Sequence, residues 1–212
     1  MQVAFLPSTD PAENAAAEEH LFRERPFPDE PRLLFYTNRE CVQCGRNQEP
    51  AAECALGKCA ALGIPVLKRF SGGGTVYHDL GNQNYAFLLP RQNYDPATIL
   101  ALVVQALQQI GVADARFCQR YSVWHGDFKI AGSAFALSGP AALLHGCLPF
   151  TTDLDKMRML LTPEIPRDPA SHAVASVVSP VANIATLVPS SPDDCRERFC
   201  DALARLAAER FA

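Results

Sequence analysis

The spacing of apolar and polar positions divides the chain into helices and strands. Asp10 stands as a helix cap, Pro11 takes the first helical position, Glu13 follows three after the cap, and residues 15–21 continue the helix. Prolines and charges from 23 to 32 predict a loop. The apolar runs 33–36 and 41–44 have strand length. Pro50 opens a predicted helix that Gly63 closes, and 64–69 and 75–77 predict two more strands. Residues 85–89 alternate little and predict a buried strand. Asp95 and Pro96 open a helix with Ile99, Leu100, Val103, Leu107 and Ile110 as its apolar positions, and Gly111 stops it. Strands are predicted over 128–137 and 143–150, and a short helix over 153–161. A Pro/Ser-rich stretch, 162–192, holds two apolar pieces, 174–178 and 183–188. From Pro192 the chain is amphipathic, with Cys195, Phe199, Leu203 and Leu206 on one helical face. Strands and helices follow no strict βαβ alternation, which predicts the α+β class with a mixed sheet flanked by helices. A boundary near Thr162 would leave about 50 residues, thin for a second domain.

Composition narrows the field. The 212 residues are 48% hydrophobic and 20% charged, enough apolar material for a core and too much for disorder. Purely apolar runs fall far short of the roughly 18 residues of a membrane span. Nineteen basic against 23 acidic residues give a net charge of −4, and no basic stripe suggests nucleic acid. The N-terminus lacks a basic segment followed by an apolar one, so no secretory signal is read and a reducing cytoplasm is expected. Cys41, Cys44, Cys54 and Cys59 have the spacing C-x2-C-x9-C-x4-C. That fits a zinc ribbon poorly, and these thiols are expected to be buried apolar residues, with no metal site.

Candidate chemistry concentrates in three segments. Gly72, Gly73 and Gly74 sit between two predicted strands, where their backbone freedom suits close approach to a ligand and their N–H groups can cradle an anion. Arg69 precedes them as a permanent positive charge. A tight turn or bulge is the plain alternative, but Ser71, His78, Asp79, Asn82 and Asn84 surround the loop. Lys129 stands in the small-residue strand Lys129-Ile130-Ala131-Gly132-Ser133-Ala134, either reaching to the surface or pointing into a cleft. His145 lies beside the apolar run Leu143-Leu144. P-loop, dinucleotide, G-x-S-x-G and H-E-x-x-H signatures are absent.

Arg69-Phe70-Ser71-Gly72-Gly73-Gly74-Thr75-Val76-Tyr77-His78-Asp79-Leu80-Gly81-Asn82 resembles the R-R-x-S-G-G-G-x-V-x-H-D-x-G-N signature of the lipoate–protein ligase A family. Asp10-Pro11 with Asn14, Glu18 and Glu19 is similar to its D-P-x-x-N-x-x-x-E-E. Gly45-Arg46-Asn47-Gln48 with Glu53-Cys54 is similar to G-R-x-Q-N-P-x-x-E-C, and residues 129–134 to K-I-x-G-S-A. His145-Gly146 with Asp153-Leu154, and then 176–184, follow in family order. The resemblance implies the fold shared by biotin and lipoyl protein ligases and the class II aminoacyl-tRNA synthetases. It implies activation of lipoate or octanoate by ATP to an acyl-adenylate, then transfer to a lysine of a lipoyl domain. Lys129 is then the catalytic residue, contacting acyl carbonyl and phosphate. Phe70, Thr75, Val76, Tyr77 and His78 would bind ATP with it. Arg69, Ser71, Gly72, Gly73 and Gly74 would border the lipoate. Asn82 and Asp79 would orient loop and metal, and His145 is a further candidate. Mg2+ is expected with ATP. The implied acceptors are lipoyl domains of 2-oxoacid dehydrogenase E2 subunits or the glycine cleavage H protein.

Departures from the pattern define the alternatives. Lys68 replaces the first arginine of the family's pair, Leu144 the first histidine of H-H-G, Cys147 the threonine after it, and Val178 the arginine of S-V-R-S. The chain is expected to be one catalytic domain over 1–212, without the family's C-terminal accessory domain, whose place a small separate subunit could take. Related octanoyl and lipoyl transferases use a cysteine thioester instead of ATP. Cys118, upstream of Lys129, and Cys147, near His145, are the candidate nucleophiles for that reading. A third reading is a non-catalytic acyl- or carrier-binding protein. The G-R-G-R-x-G-R loop of biotin ligases is absent.

Overall fold

The structure, a computed structural model, describes residues 1–24 and 26–211; Arg25, inside the predicted 23–32 loop, and Ala212 lie outside the described residues. Ten strands and five helices are seen among them: β1 (Gln2–Phe5), α1 (Pro11–Arg23), β2 (Arg32–Tyr36), β3 (Cys41–Cys44), α2 (Leu56–Ala61), β4 (Val66–Lys68), β5 (Val76–His78), β6 (Asn82–Pro90), α3 (Pro96–Gln109), β7 (Arg116–Phe117), β8 (Val123–His125), β9 (Phe128–Ser138), β10 (Ala141–Pro149), α4 (Leu154–Leu160) and α5 (Pro192–Arg210). The caps are those the sequence announces. Asp10 accepts from the N–H groups of Ala12 and Glu13, Asp95 from those of Ala97 and Thr98, and proline follows each cap.

Seven strands form a mixed sheet in the order β1-β2-β6-β10-β9-β8-β7, and three form a smaller one, β4-β3-β5. β1 runs parallel to β2 and β3 parallel to β4, while β6, β10 and β9 pair antiparallel. Every residue of β6 is buried because the strand is covered on both faces. Tyr85, Phe87 and Leu89 face the core built with α3 and α5. Ala86 and Leu88 face the other side, with Phe22 of α1. A third apolar cluster joins Cys44, Cys54 and Cys59 to Val42, Ile64, Tyr77 and Leu160. The cysteines of the C-x2-C-x9-C-x4-C spacing are thus buried packing groups, all at most 1% exposed. Burial pushes the Cys41 thiol up to about 12.

The predicted helix from Pro50 is broken in two. A 3-10 turn, Pro50–Ala52, comes first, and α2 begins only at Leu56. Between them Glu53 is turned inward, where Gln48 donates to its carboxylate (2.8 Å). Residues 162–191 form no second unit. They cross the sheet as a strap, with Val181 bridging in parallel to Lys129 and the Lys129 N–H donating to Pro180. No helix among the described residues is long and apolar enough to cross a membrane.

Candidate active site

Two adjoining cavities, about 470 and 510 Å³, share one wall. Thr75, Val76, Lys129, Gly132, Cys147 and Ser176 to Ser179 line both. The first cavity runs on to Tyr36, Gln43, His78, Asn84 and His145. The second runs toward Glu53, Tyr77, Asn82, Met157 and Leu161.

Lys129 stands where they meet. Gly132, three residues on, makes room for it: a Cβ there would lie 3.3 Å from the Lys129 Nζ. The spacing of the K-I-A-G segment thus lets the ammonium fold back over its own strand into the shared wall.

The glycine loop is held from beneath by Arg69. Its Nη1 donates to the Gln43 carbonyl (2.9 Å), its Nη2 to the carbonyls of Gly72 (2.8 Å) and Gly74 (2.6 Å), and its Nε to Ser71 Oγ (3.1 Å). A planar fork of donors suits three carbonyls at fixed positions better than a point charge would. This corrects the reading of Arg69 as a charge held for ligand: it lines the first cavity, but its hydrogen-bonding edge is committed to the loop. With the carbonyls turned down to Arg69, the N–H groups of Gly72, Gly73 and Gly74 have no acceptor among the described residues. Gly73 sits at φ +87°, where a side chain would be strained. A Cβ on Gly45 would overlap the Gly73 carbonyl oxygen, so Gly45 must also be glycine for the loop to pack.

Two networks fix the loop laterally. Ser71 Oγ meets His145 Nε2 at 2.8 Å, His145 Nδ1 meets Glu18 at 2.7 Å, and the Tyr36 hydroxyl donates to the other Glu18 oxygen (3.0 Å). Glu18 and Ser71 are buried at 3% and 1% exposure, so this chain ties α1 to the loop inside the protein. On the strap side, Thr75 Oγ1 donates to Gln48 (2.9 Å), while the Thr75 N–H and Gln48 Nε2 both donate to Ser176 Oγ (2.9 Å each). Glu53 accepts from Gln48, from the Ser176 N–H (3.0 Å) and from Arg167 (3.1 Å).

Of the predicted residues, Arg69, Gly73, Gly74, Thr75, Val76, His78, Lys129, His145 and Cys118 meet at the first cavity, and Tyr77 and Asn82 at the second. Four line neither cavity. Phe70 lines neither cavity and stacks on Phe22 of α1 with ring centroids 5.2 Å apart, because it faces the core side of a backbone whose Arg69 faces the loop. Asp79 has one carboxylate oxygen on the Gly81 N–H (3.0 Å) and the other on the Asp153 N–H (2.8 Å), so it staples two loops, and it lines neither cavity. Ser71 and Gly72 support the loop from behind rather than line a cavity.

Other cavity residues carried no role in the sequence reading. Glu53 and Ser176 stood in recognised segments, and Gln48, which lines neither cavity, bonds to both. Trp124 and Ser122 come from the β7–β8 edge, whose strands are too short to show a pattern. Cys118 joins them. Burial raises its thiol, but hydrogen bonds from Ser122 and the backbone of Arg120 outweigh burial and hold it at about 7. Burial pushes the Cys147 thiol up against the opposing pull of Lys129 and Arg69.

The innermost wall is polar and incompletely paired. Asn38 accepts from Asn14 Nδ2 (2.8 Å) through its oxygen, so its Nδ2 donates to His78 Nδ1 (3.0 Å). Burial, with the Arg69 and His145 charges, pushes His78 down to about 3 and keeps it neutral. Its proton therefore sits on Nε2, which has no partner. Asn84 accepts from Asn82 (3.2 Å), and its Nδ2 is likewise unpartnered.

Residues 10–204 match the family of the lipoyl protein ligase A/B catalytic domain. Lipoate-protein ligase A of Psychrobacter cryohalolentis is 34% identical over 213 residues, which cover 100% of this chain and 61% of the relative. The curated relatives extend further still in other cases, and the chain spans between 46% and 61% of their length. A bi-partite lipoate protein ligase from Thermoplasma acidophilum, solved in a study of that ligase and its E2 lipoyl domain, superposes with TM-score 0.82 at 28% identity, over 98% of this chain and 83% of the other. A lipoate-protein ligase A bound with ATP superposes with TM-score 0.79 at 26% identity, over 98% and 86%. The α+β architecture is that of these ligases, and the chain belongs to the lipoyl protein ligase A/B catalytic domain family.

Proposed function

We propose that this chain activates lipoate with ATP and transfers the acyl group to a lysine of a lipoyl domain. One observation carries the reading: Lys129, the charged side chain common to both cavities, stands where an acyl carboxylate from one and a nucleotide phosphate from the other would meet. A carboxylate oxygen attacks the α-phosphorus, the bond to the bridging oxygen breaks, and pyrophosphate leaves. Both reactants are anions, and charge builds on the phosphoryl oxygens. A preorganised ammonium and free backbone N–H groups stabilise that charge without reorganising. In the second step the acceptor amine attacks the acyl carbonyl and AMP departs. Lys129, placed on the carbonyl, stabilises the oxyanion there as well.

Mg2+ enters with the nucleotide as substrate. The only carboxylate in either cavity wall among the described residues is Glu53, already bonded to Gln48, Ser176 and Arg167. Neither cavity wall offers the ion an unbonded carboxylate among the described residues, and no step is routed through it. The P. cryohalolentis relative and the ATP-bound neighbour support the choice of lipoate and ATP, and the T. acidophilum work supports a lipoyl domain as acceptor. Cys118, with its thiol held near 7 in the same cavity, favours the second reading, ATP-independent transfer through a thioester.

Lipoate-dependent exchange between ATP and pyrophosphate separates them. In Lys129→Ala the exchange is expected to fall at least about a hundredfold, while Cys118→Ala retains it. Exchange that survives in Lys129→Ala, or acyl transfer without ATP that is lost in Cys118→Ala, would overturn the ligase reading.

A further inference from the structure

The hydrogen bonds around Gln48 fix which way its amide points. Its Oε1 accepts from the Gly45 N–H (2.9 Å) and from Thr75 Oγ1 (2.9 Å). Its Nε2 donates to the Glu53 carboxylate (2.8 Å) and to Ser176 Oγ (2.9 Å). A backbone N–H can only donate and a carboxylate can only accept, so the amide turned the other way would lose both bonds. Ser176 Oγ also receives the Thr75 N–H at 2.9 Å. A hydroxyl has two lone pairs and one hydrogen, and here two N–H donors take both lone pairs. The Ser176 O–H is left with donating as its one role, and it points away from Gln48 and Thr75. No acceptor for it lies within hydrogen-bond distance among the described residues.

The open side of this hydroxyl is the substrate side. Gln48 lines neither cavity and so stands behind Ser176, whereas Ser176 is half-buried and lines both, in the wall that holds Lys129. Its oxygen lies against the glycine loop, where a Cβ on Gly74 would come within 3.1 Å of it. The backbone beneath is seated too, because the Ser176 N–H donates to Glu53 (3.0 Å). A donor whose direction is set by its neighbours before any substrate arrives is the kind that stabilises developing negative charge without reorganising.

We propose that Ser176 is a second catalytic residue, its O–H donating to a non-bridging oxygen of the phosphoryl group under attack, with Gln48 as the residue that positions it. This rests on the reading of Lys129 as the meeting point of acyl carboxylate and nucleotide phosphate. The proton stays on Ser176 throughout. What changes is the strength of one hydrogen bond, which grows as charge builds on the phosphoryl oxygen and relaxes when pyrophosphate has left. Lys129 supplies the charge and Ser176 a fixed direction. The strap thereby contributes a reacting-centre contact as well as a cover.

Lipoate-dependent exchange between ATP and pyrophosphate, with kcat and KM measured separately, tests this on the full chain. In Ser176→Ala, kcat is expected to fall at least about tenfold, a donor to a developing oxyanion supplying up to a hundredfold or more. The KM values for ATP and lipoate are expected to stay within about threefold. Ser176→Thr, which keeps the hydroxyl, is expected to recover most of the loss, and Ser176→Cys, of similar size but a weak donor, little of it. Thermal unfolding confirms that each variant is folded. A smaller fall in kcat for folded Ser176→Ala, or raised KM values with kcat retained, would make Ser176 a tether for the strap and overturn the proposal. A loss in Ser176→Thr equal to that in Ser176→Ala would overturn it as well. Absence of exchange in the unaltered chain would instead overturn the ligase reading beneath it.

Discussion

The floor of the site and the strap above it are built on opposite principles. The floor is buried and bound many times over. Arg69 alone closes on Gln43, Ser71, Gly72 and Gly74, and the Ser71–His145–Glu18–Tyr36 chain ties the loop to α1. The part of the strap over the cavities, residues 174–180, exposes its apolar side chains: Val174 is 50% exposed, Val177 62% and Val178 95%. It is held at its ends, by Val174 on Asn47 and Pro180 on Lys129, and in the middle by Ser176. Charge stabilisation in catalysis requires donors fixed before the reaction, which is what the floor provides. A cover over two substrates needs few attachments, because segments with few buried apolar contacts open at low free energy.

Breaking the floor is therefore expected to have the largest effect. Arg69→Met keeps much of the apolar stem and removes the fork. It leaves the carbonyls of Gln43, Gly72 and Gly74 without their donor, each in a buried or half-buried position. A buried carbonyl left without its donor costs about 1–3 kcal/mol, read as a lowered urea midpoint. Arg69→Lys is expected to recover little, since one ammonium cannot span three carbonyls. A variant as stable as the parent would show that the loop holds itself.

A gentler probe of the floor is pH. His78 has its folded-state value pushed down to about 3, against an ordinary 6.5. Below about 6.5 the unfolded chain takes up a proton that the folded chain refuses. Stability is thus fully present above that range and falls as pH drops from 6.5 toward 3. The slope attributable to this one group approaches about 1.4 kcal/mol per pH unit. Comparing denaturation of the parent chain with His78→Gln isolates it, and the variant is expected to be the flatter of the two across this window. Identical slopes would mean that His78 is protonated in the folded protein.

The same contrast explains what could be read without coordinates. Helix α3 was legible because cap, period and stop agree, α1 from its cap and first turn, and α5 from its apolar face. β6 was legible as buried, but not its division of labour, in which Tyr85, Phe87 and Leu89 serve one core and Ala86 and Leu88 another. β1, β7 and β8 were missed, being two to four residues long and mostly exposed. Glycines and Lys129 announced the site because few other roles suit such residues there. Glu53 did not, since its inward turn depends on the break between Pro50–Ala52 and α2, which no local pattern announces. Phe70 misled for the converse reason: adjacency to the loop in sequence says nothing about which side of the backbone a ring takes.

The strap offers the smallest change in stability and a separate test of the comparison. Val178 lines both cavities yet is 95% exposed, so its side chain contributes almost nothing to the packing that holds the fold. It also stands where the resembling segment of the family has arginine. Val178→Arg places a guanidinium over the wall shared with Lys129, within reach of a nucleotide phosphate, without disturbing a buried contact. Folding stability is expected to stay within about 0.5 kcal/mol of the parent. The KM for ATP in the exchange reaction is expected to fall severalfold, and more at low ionic strength than at high, because an exposed charge is screened by salt. If instead the substitution destabilised the chain by as much as an alteration of the floor, the strap would be part of the folded frame. A lowered KM with unchanged stability would establish it as a cover whose chemistry can be altered independently of the frame beneath.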